Sequence, residues 1–169
     1  GGVKGAEAGT LTFMVGGLHD VFEKAKPVLA CMGRNLMHTG GACTGLAAKI
    51  CNNMVLGVSM IALSEAFVLA ESLGLSPQKL FEVMSHASGQ CWASNHYAPC
   101  PDLLPDSPAS HDYAPGFSAL MMLKDLMLAQ NASLEHGIAT PMSDHATLLY
   151  QQLKDAGLGG LDFSVMYKL

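Results

Sequence analysis

Charge is scarce in this chain. Of its 169 residues only 14% are Asp, Glu, Lys or Arg, and the nine Lys/Arg are scattered without a basic run. With a net charge of -5, that distribution argues against a nucleic-acid surface. The five cysteines form no CxxC pair and are odd in number, so they read as small hydrophobes in a reducing compartment. Seven histidines occur without HExxH or a Cys/His cluster, so no metal site is expected. No basic segment followed by an apolar one marks a signal peptide. The chain opens on GGVKGAEAG without an initiator Met, which reads as a truncated or processed start.

What is abundant is apolar. Half the residues are hydrophobic and the mean hydropathy is +0.28. The most apolar stretch, Met54 to Ala70, is interrupted by Ser59, Ser64 and Glu65. That fits a helix buried in protein better than a membrane span.

Two textures divide the chain. Residues 1 to 40 read as β-α-β: a strand over Leu11–Val15, a helix over Leu18–Met32 with Pro27 inside, and a strand over Asn35–His38. One such unit cannot cover both faces of its own sheet, so it resembles the trailing edge of a larger parallel sheet. From residue 41 onward the pattern is helical. Gly45–Leu73 is one long periodic segment closed by Gly74. With so few polar residues it is expected to be buried nearly all round. Ser76 caps a helix with Pro77 at its first position. Residues 87–116 read as an ordered surface loop around Trp92, Tyr97 and Tyr113. Helices over Phe117–His136 and Pro141–Ala156 follow, and DFSVMYKL closes the chain with one last turn.

Three groups of residues invite a chemical reading. Gly45, Lys49 and Asn53 in TGLAAKICNNM fall at i, i+4 and i+8, on roughly one helix face. Gly45 leaves room for a ligand or another backbone. A lysine withdrawn from water there is suited to exchange a proton near neutral pH; otherwise it is a lysine snorkelling at a helix start. Lys124-Asp125 interrupts an apolar helix. Neighbours lie about 100° apart around a helix, so the two need not pair, and a solvated stripe is the simpler reading. Trp92, Tyr97, Tyr113 and Phe117 either frame a pocket or, more simply, anchor the loop to the core.

Taken together these segments resemble the β-hydroxyacid dehydrogenase family. GGVKGAEAGTLTFMVGG looks like its substrate-binding segment, TGLAAKICNNM like its catalytic-lysine motif, and FSALMMLKDLMLA like the helix near the cofactor. SGQCWASNHYAPCPDLL resembles a loop peculiar to the 3-hydroxyisobutyrate enzymes. The resemblance implies a mainly helical fold: an all-helical domain of the 6-phosphogluconate dehydrogenase-like type over residues 41–169, preceded by the last β-α-β piece of a Rossmann domain over residues 1–40. It implies Lys49 as the general acid/base. Asn53 and the backbone of Gly1 and Gly2 would bind substrate, and Phe117, Lys124 and Asp125 would sit at the cofactor, NAD. It also implies oxidation of 3-hydroxyisobutyrate to methylmalonate semialdehyde, in valine breakdown.

Two departures accompany the resemblance. Many members carry glycine where Cys43 stands, and a side chain there crowds the approach. The family's GxGxxG turn, which grips the pyrophosphate, is absent from these residues, so the chain alone is expected to turn over no hydroxy acid. The expected partners are a small hydroxy acid and further copies of the chain, as homodimer or homotetramer, with no nucleic acid and no membrane. A bacterial cytoplasm and a mitochondrial matrix both suit the thiols. Two rivals stand: a related enzyme such as tartronate semialdehyde reductase, and a non-catalytic helical oligomerisation module.

Overall fold

The computed structural model describes residues 2–169. It divides into two compact units, Gly1–Asn52 and Asn53–Leu169. The boundary falls inside one long helix rather than at its start, because the first turns of that helix pack on the strands before it.

In the first unit the order is α1 (Gly2–Glu7), β1 (Leu11–Gly16), α2 (His19–Leu29), β2 (Gly33–Gly40) and the beginning of α3 (Thr44–Ser72). β1 and β2 pair in parallel, with Phe13 opposite Leu36 and Met14 opposite Met37. A parallel pair requires a crossover, and α2 supplies it, turning Phe22 inward. α1 was not anticipated from the sequence, and both strands extend beyond their expected ends. Among the described residues of this unit only Phe22, Gly33 and Gly45 are buried. Two strands and one crossover helix make little core.

Gly45 explains how α3 starts. A Cβ there would collide with the carbonyl oxygen of Met14 and lie 2.9 Å from the amide nitrogen of Gly16. The missing side chain therefore admits the backbone of β1, not a ligand. Two residues earlier, Cys43 has φ of +68°, in the left-handed region that penalises a Cβ. The glycine that the resemblance leads one to expect at this position would sit there without strain. Cys43→Gly is accordingly expected to raise the chain's stability by about 0.5–1 kcal/mol, the relieved Cβ clash exceeding glycine's extra entropy. A rise of a few degrees in the midpoint of thermal unfolding, followed by circular dichroism, checks it.

The second unit contains the rest of α3, then α4 (Pro77–Met84), α5 (Trp92–His96), α6 (Ala119–Glu135), α7 (Pro141–Asp155) and a closing 3-10 helix, Phe163–Lys168. Ser76 caps α4 by accepting from the Lys79 amide, and Ser118 caps α6 by accepting from Met121. Met60, Leu63, Met122, Leu126, Tyr150, Leu153, Phe163 and Val165 form one continuous core. Gly57 brings α3 close to α6: a Cβ there would stand 3.0 Å from the Met122 sulfur.

All-round burial of α3 is not observed. Met60, Leu63, Phe67 and Ala70 face the core, but Val55, Val68 and Leu69 are 50–60% exposed. One chain has only enough helices to cover one side of a rod about 40 Å long. By length and composition alone this helix also matches a membrane span; its inward side is the centre of the helical core.

Residues 87–116 are ordered by short elements rather than by an open loop. α5 and a 3-10 turn, Pro108–His111, lie within them. The Tyr113 hydroxyl donates to the Pro99 carbonyl at 2.9 Å from a fully buried position, and the Lys168 ammonium lies 4.6 Å from its ring centre.

Candidate active site

α6 sets the centre of the site. It begins at a serine cap and presents Asp125 inward, 2% exposed, while Lys124 reaches solvent. The Lys124 ammonium folds back to 2.7 Å from one Asp125 oxygen. The other oxygen accepts from the Asn53 amide nitrogen at 2.6 Å. A carboxylate only accepts, so this contact fixes which end of the Asn53 amide turns toward it.

The solvated-stripe reading of Lys124-Asp125 is therefore corrected. The lysine stem is long enough to span the 100° between neighbours. The acid is buried because α3 supplies it with a hydrogen-bond donor. Burying a carboxylate without such partners is costly.

Lys49 and Asn53 stand one helical turn apart on α3. Lys49 is exposed as a whole residue, where the sequence left open both a lysine withdrawn from water and one snorkelling at a helix start. The physical reason is the thin packing of the first unit, where few side chains are buried. Gly1 lies outside the described residues. Gly2 opens α1 with φ of +66°.

Phe117 lies two residues before α6, half-buried, with its ring edge-on to Phe163 at 5.8 Å between centres. Phe163 in turn stacks on Tyr97 at 5.3 Å, and Tyr97 on Trp92 at 5.3 Å. Anchoring is thus the main role of Tyr97, Tyr113 and Phe117, whereas Trp92 remains 54% exposed at the outer end of the ladder.

The residue that organises this ladder escaped the sequence reading. Asp162 is completely buried. One of its oxygens accepts from the Tyr97 hydroxyl at 2.8 Å and from the amides of Gly116 and Phe117 at 3.1 and 3.0 Å. The other accepts from the Ser164 amide and hydroxyl at 3.0 and 2.7 Å. Burial, and then the Asp162 charge, push the Tyr97 hydroxyl far above the ordinary phenol range, so it stays a donor. The Asp-Phe-Ser spacing is a helix-cap signature that could have marked Asp162, since Ser164 sits where a capped amide is needed. Its long-range partners could not have been read locally.

A family model described as the NAD-binding domain of NADP-dependent 3-hydroxyisobutyrate dehydrogenase matches residues 43–169. The chain belongs to the 3-hydroxyisobutyrate dehydrogenase family. A second model, for the NAD-binding domain of 6-phosphogluconate dehydrogenase, matches residues 1–41. The fold is mainly α and 6-phosphogluconate dehydrogenase-like, with a β-α-β piece in front, and the family comprises NAD-binding oxidoreductases.

Relatives within the family are similar along this whole chain. The mitochondrial 3-hydroxyisobutyrate dehydrogenase of Drosophila melanogaster is 47% identical over 169 residues, covering 100% of this chain and 52% of its own. A protein of Pseudomonas aeruginosa named as an NAD-dependent L-serine dehydrogenase is also 47% identical, over 100% of this chain and 57% of its own. The solved structure of the Mycobacterium tuberculosis 3-hydroxyisobutyrate dehydrogenase with L-serine superposes with a TM-score of 0.95 at 49% identity. That match covers 99% of this chain and 57% of the other. The chain thus spans about half the length of these relatives, which come from bacteria and from mitochondria.

Proposed function

We propose that this chain is the substrate-binding part of an NAD-dependent 3-hydroxyisobutyrate dehydrogenase, which converts 3-hydroxyisobutyrate to methylmalonate semialdehyde in valine breakdown. The observation that carries the reading is the buried Asp125 holding both Asn53 and Lys124, one turn along α3 from Lys49. Residues 1–40 would belong to the nucleotide-binding domain and 41–169 to the helical domain. The ranges of the two family models support that division.

NAD, when bound, supplies the hydride acceptor. The residues present fit it: Phe117 offers an aromatic face, and Lys124 offers an exposed ammonium to an anionic dinucleotide. Lys49 takes the hydroxyl proton of the substrate. Bound substrate would withdraw that amine from water. Asn53, tethered by Asp125, orients the substrate, and the backbone of Gly1 and Gly2 receives its carboxylate.

Further copies of the chain as homodimer or homotetramer would cover the apolar side of α3 that Val55, Val68 and Leu69 leave uncovered. No nucleic acid or membrane takes part. The compartment would be a bacterial cytoplasm, with the mitochondrial matrix as the alternative.

The test is a hybrid enzyme: this chain completed with the part of the Mycobacterium tuberculosis relative that it does not cover. We expect the hybrid to reduce NAD with 3-hydroxyisobutyrate, and the chain alone to give no turnover because it has no glycine-rich turn for the pyrophosphate. Preference for L-serine, or for glycerate, the alcohol partner of tartronate semialdehyde, would overturn the substrate assignment. A hybrid that assembles but oxidises none of them would favour the oligomerisation module.

A further inference from the structure

Asp162 has no role in the reaction as set out above, yet it joins two aromatic segments: Tyr97 with its stacked Trp92, and Phe117 ahead of α6. Its Oδ2 accepts three donors from two separate segments: Tyr97 at the end of α5, and the Gly116 and Phe117 amides ahead of α6. Its Oδ1 is held by Ser164, so the carboxylate is fixed at both ends. A Cβ on Gly116 would stand 2.7 Å from the Tyr97 hydroxyl, so the two segments meet too closely for any side chain there. No cation neutralises the carboxylate among its described contacts; five hydrogen bonds do that instead.

Phe117 lies two residues ahead of α6, and Lys124 lies in the second turn of that helix. Where α6 begins therefore sets where both groups sit. Where Tyr97 leans sets where Trp92 stacks, with half of its face open to solvent. One buried carboxylate fixes both placements.

We infer that Asp162 is a positioning residue for substrate selection: it clamps Tyr97, at the end of α5, against the start of α6, the helix that carries Lys124 and Asp125, and so sets how a hydroxy acid is distinguished from its analogues. The inference rests on the dehydrogenase reading proposed above. Asp162 touches no reacting atom; it acts through Tyr97, Trp92 and Phe117.

The test compares Asp162→Asn and Tyr97→Phe in the hybrid enzyme. Asparagine keeps the shape but turns one accepting oxygen into a donor. Phenylalanine keeps the ring stack and removes one hydrogen bond. The readout is the ratio of kcat/KM for 3-hydroxyisobutyrate to that for L-serine, which a smaller folded fraction leaves unchanged. Losing charge-assisted hydrogen bonds is expected to shift that ratio by about tenfold in Asp162→Asn and by about threefold in Tyr97→Phe. Trp92 is the sole tryptophan, so in the 169-residue chain itself its emission should move to longer wavelength and acrylamide should quench it more in both variants. Ratios within about twofold of the parent in both variants would make Asp162 a stability hub only and overturn the inference, however far the melting temperature falls. A parent hybrid that oxidises neither substrate would instead defeat the dehydrogenase reading, and this inference with it.

Discussion

Lys49→Ala in the hybrid enzyme is expected to lower kcat by about 10³-fold, the usual scale for removing a positioned general base. KM for the hydroxy acid should change far less, since Asn53 and its Asp125 tether remain. Lys49→Arg separates charge from proton transfer. Arginine keeps the positive charge but does not give up a proton in proteins, so it should be nearly as slow as alanine. Added methylamine should restore part of the activity of the alanine variant and none of that of the arginine variant. Steady-state rates of NADH formation read all three, and size-exclusion chromatography checks that the oligomer is unchanged. Retained turnover in Lys49→Ala would remove the lysine from the chemistry. Loss of assembly without a separate kinetic effect would return the helix to a purely structural role.

The second large effect concerns Gly45. Gly45→Ala places a methyl group against the Met14 carbonyl oxygen and within 3.0 Å of its carbon. Backbone of a paired strand is on the other side, so neither partner can move without breaking the β1–β2 register. We expect a loss of about 3 kcal/mol or more, at the upper end of overpacking costs. Gly41→Ala is the control, because a Cβ there meets nothing within 4 Å; it should stay within about 0.5 kcal/mol of the parent. Urea unfolding of the 169-residue chain measures both. A small effect at Gly45 would mean that α3 does not enter along β1 as described.

Local chemistry accounts for most of what was legible in advance. The apolar spacing along α3, the Ser76-Pro77 start of α4 and the glycines after α3, α6 and α7 are properties of short windows. The structure places those elements within one or two residues of their expected ends. The Lys49-to-Asn53 spacing was equally legible, because a helix converts i, i+4 into one face whatever surrounds it.

What packs on that face was not legible. Gly45 left room for a ligand or for another backbone, and the structure places the backbone of β1 there. Lys124 and Asp125 looked solvated, but Asp125 is buried because α3, 72 positions earlier in the chain at Asn53, brings a donor to it. Asp162, unremarked at the head of the closing DFSVMYKL, proves to join three segments, one of them 65 positions away at Tyr97. Sequence by itself determined the elements, their order and the residue types able to do the chemistry, because these follow from propensity and periodicity over a few turns. Only the tertiary structure decided which polar groups are buried and which partners satisfy them. A hydrogen bond between distant residues depends on where two elements meet, and no local window of residues records that meeting.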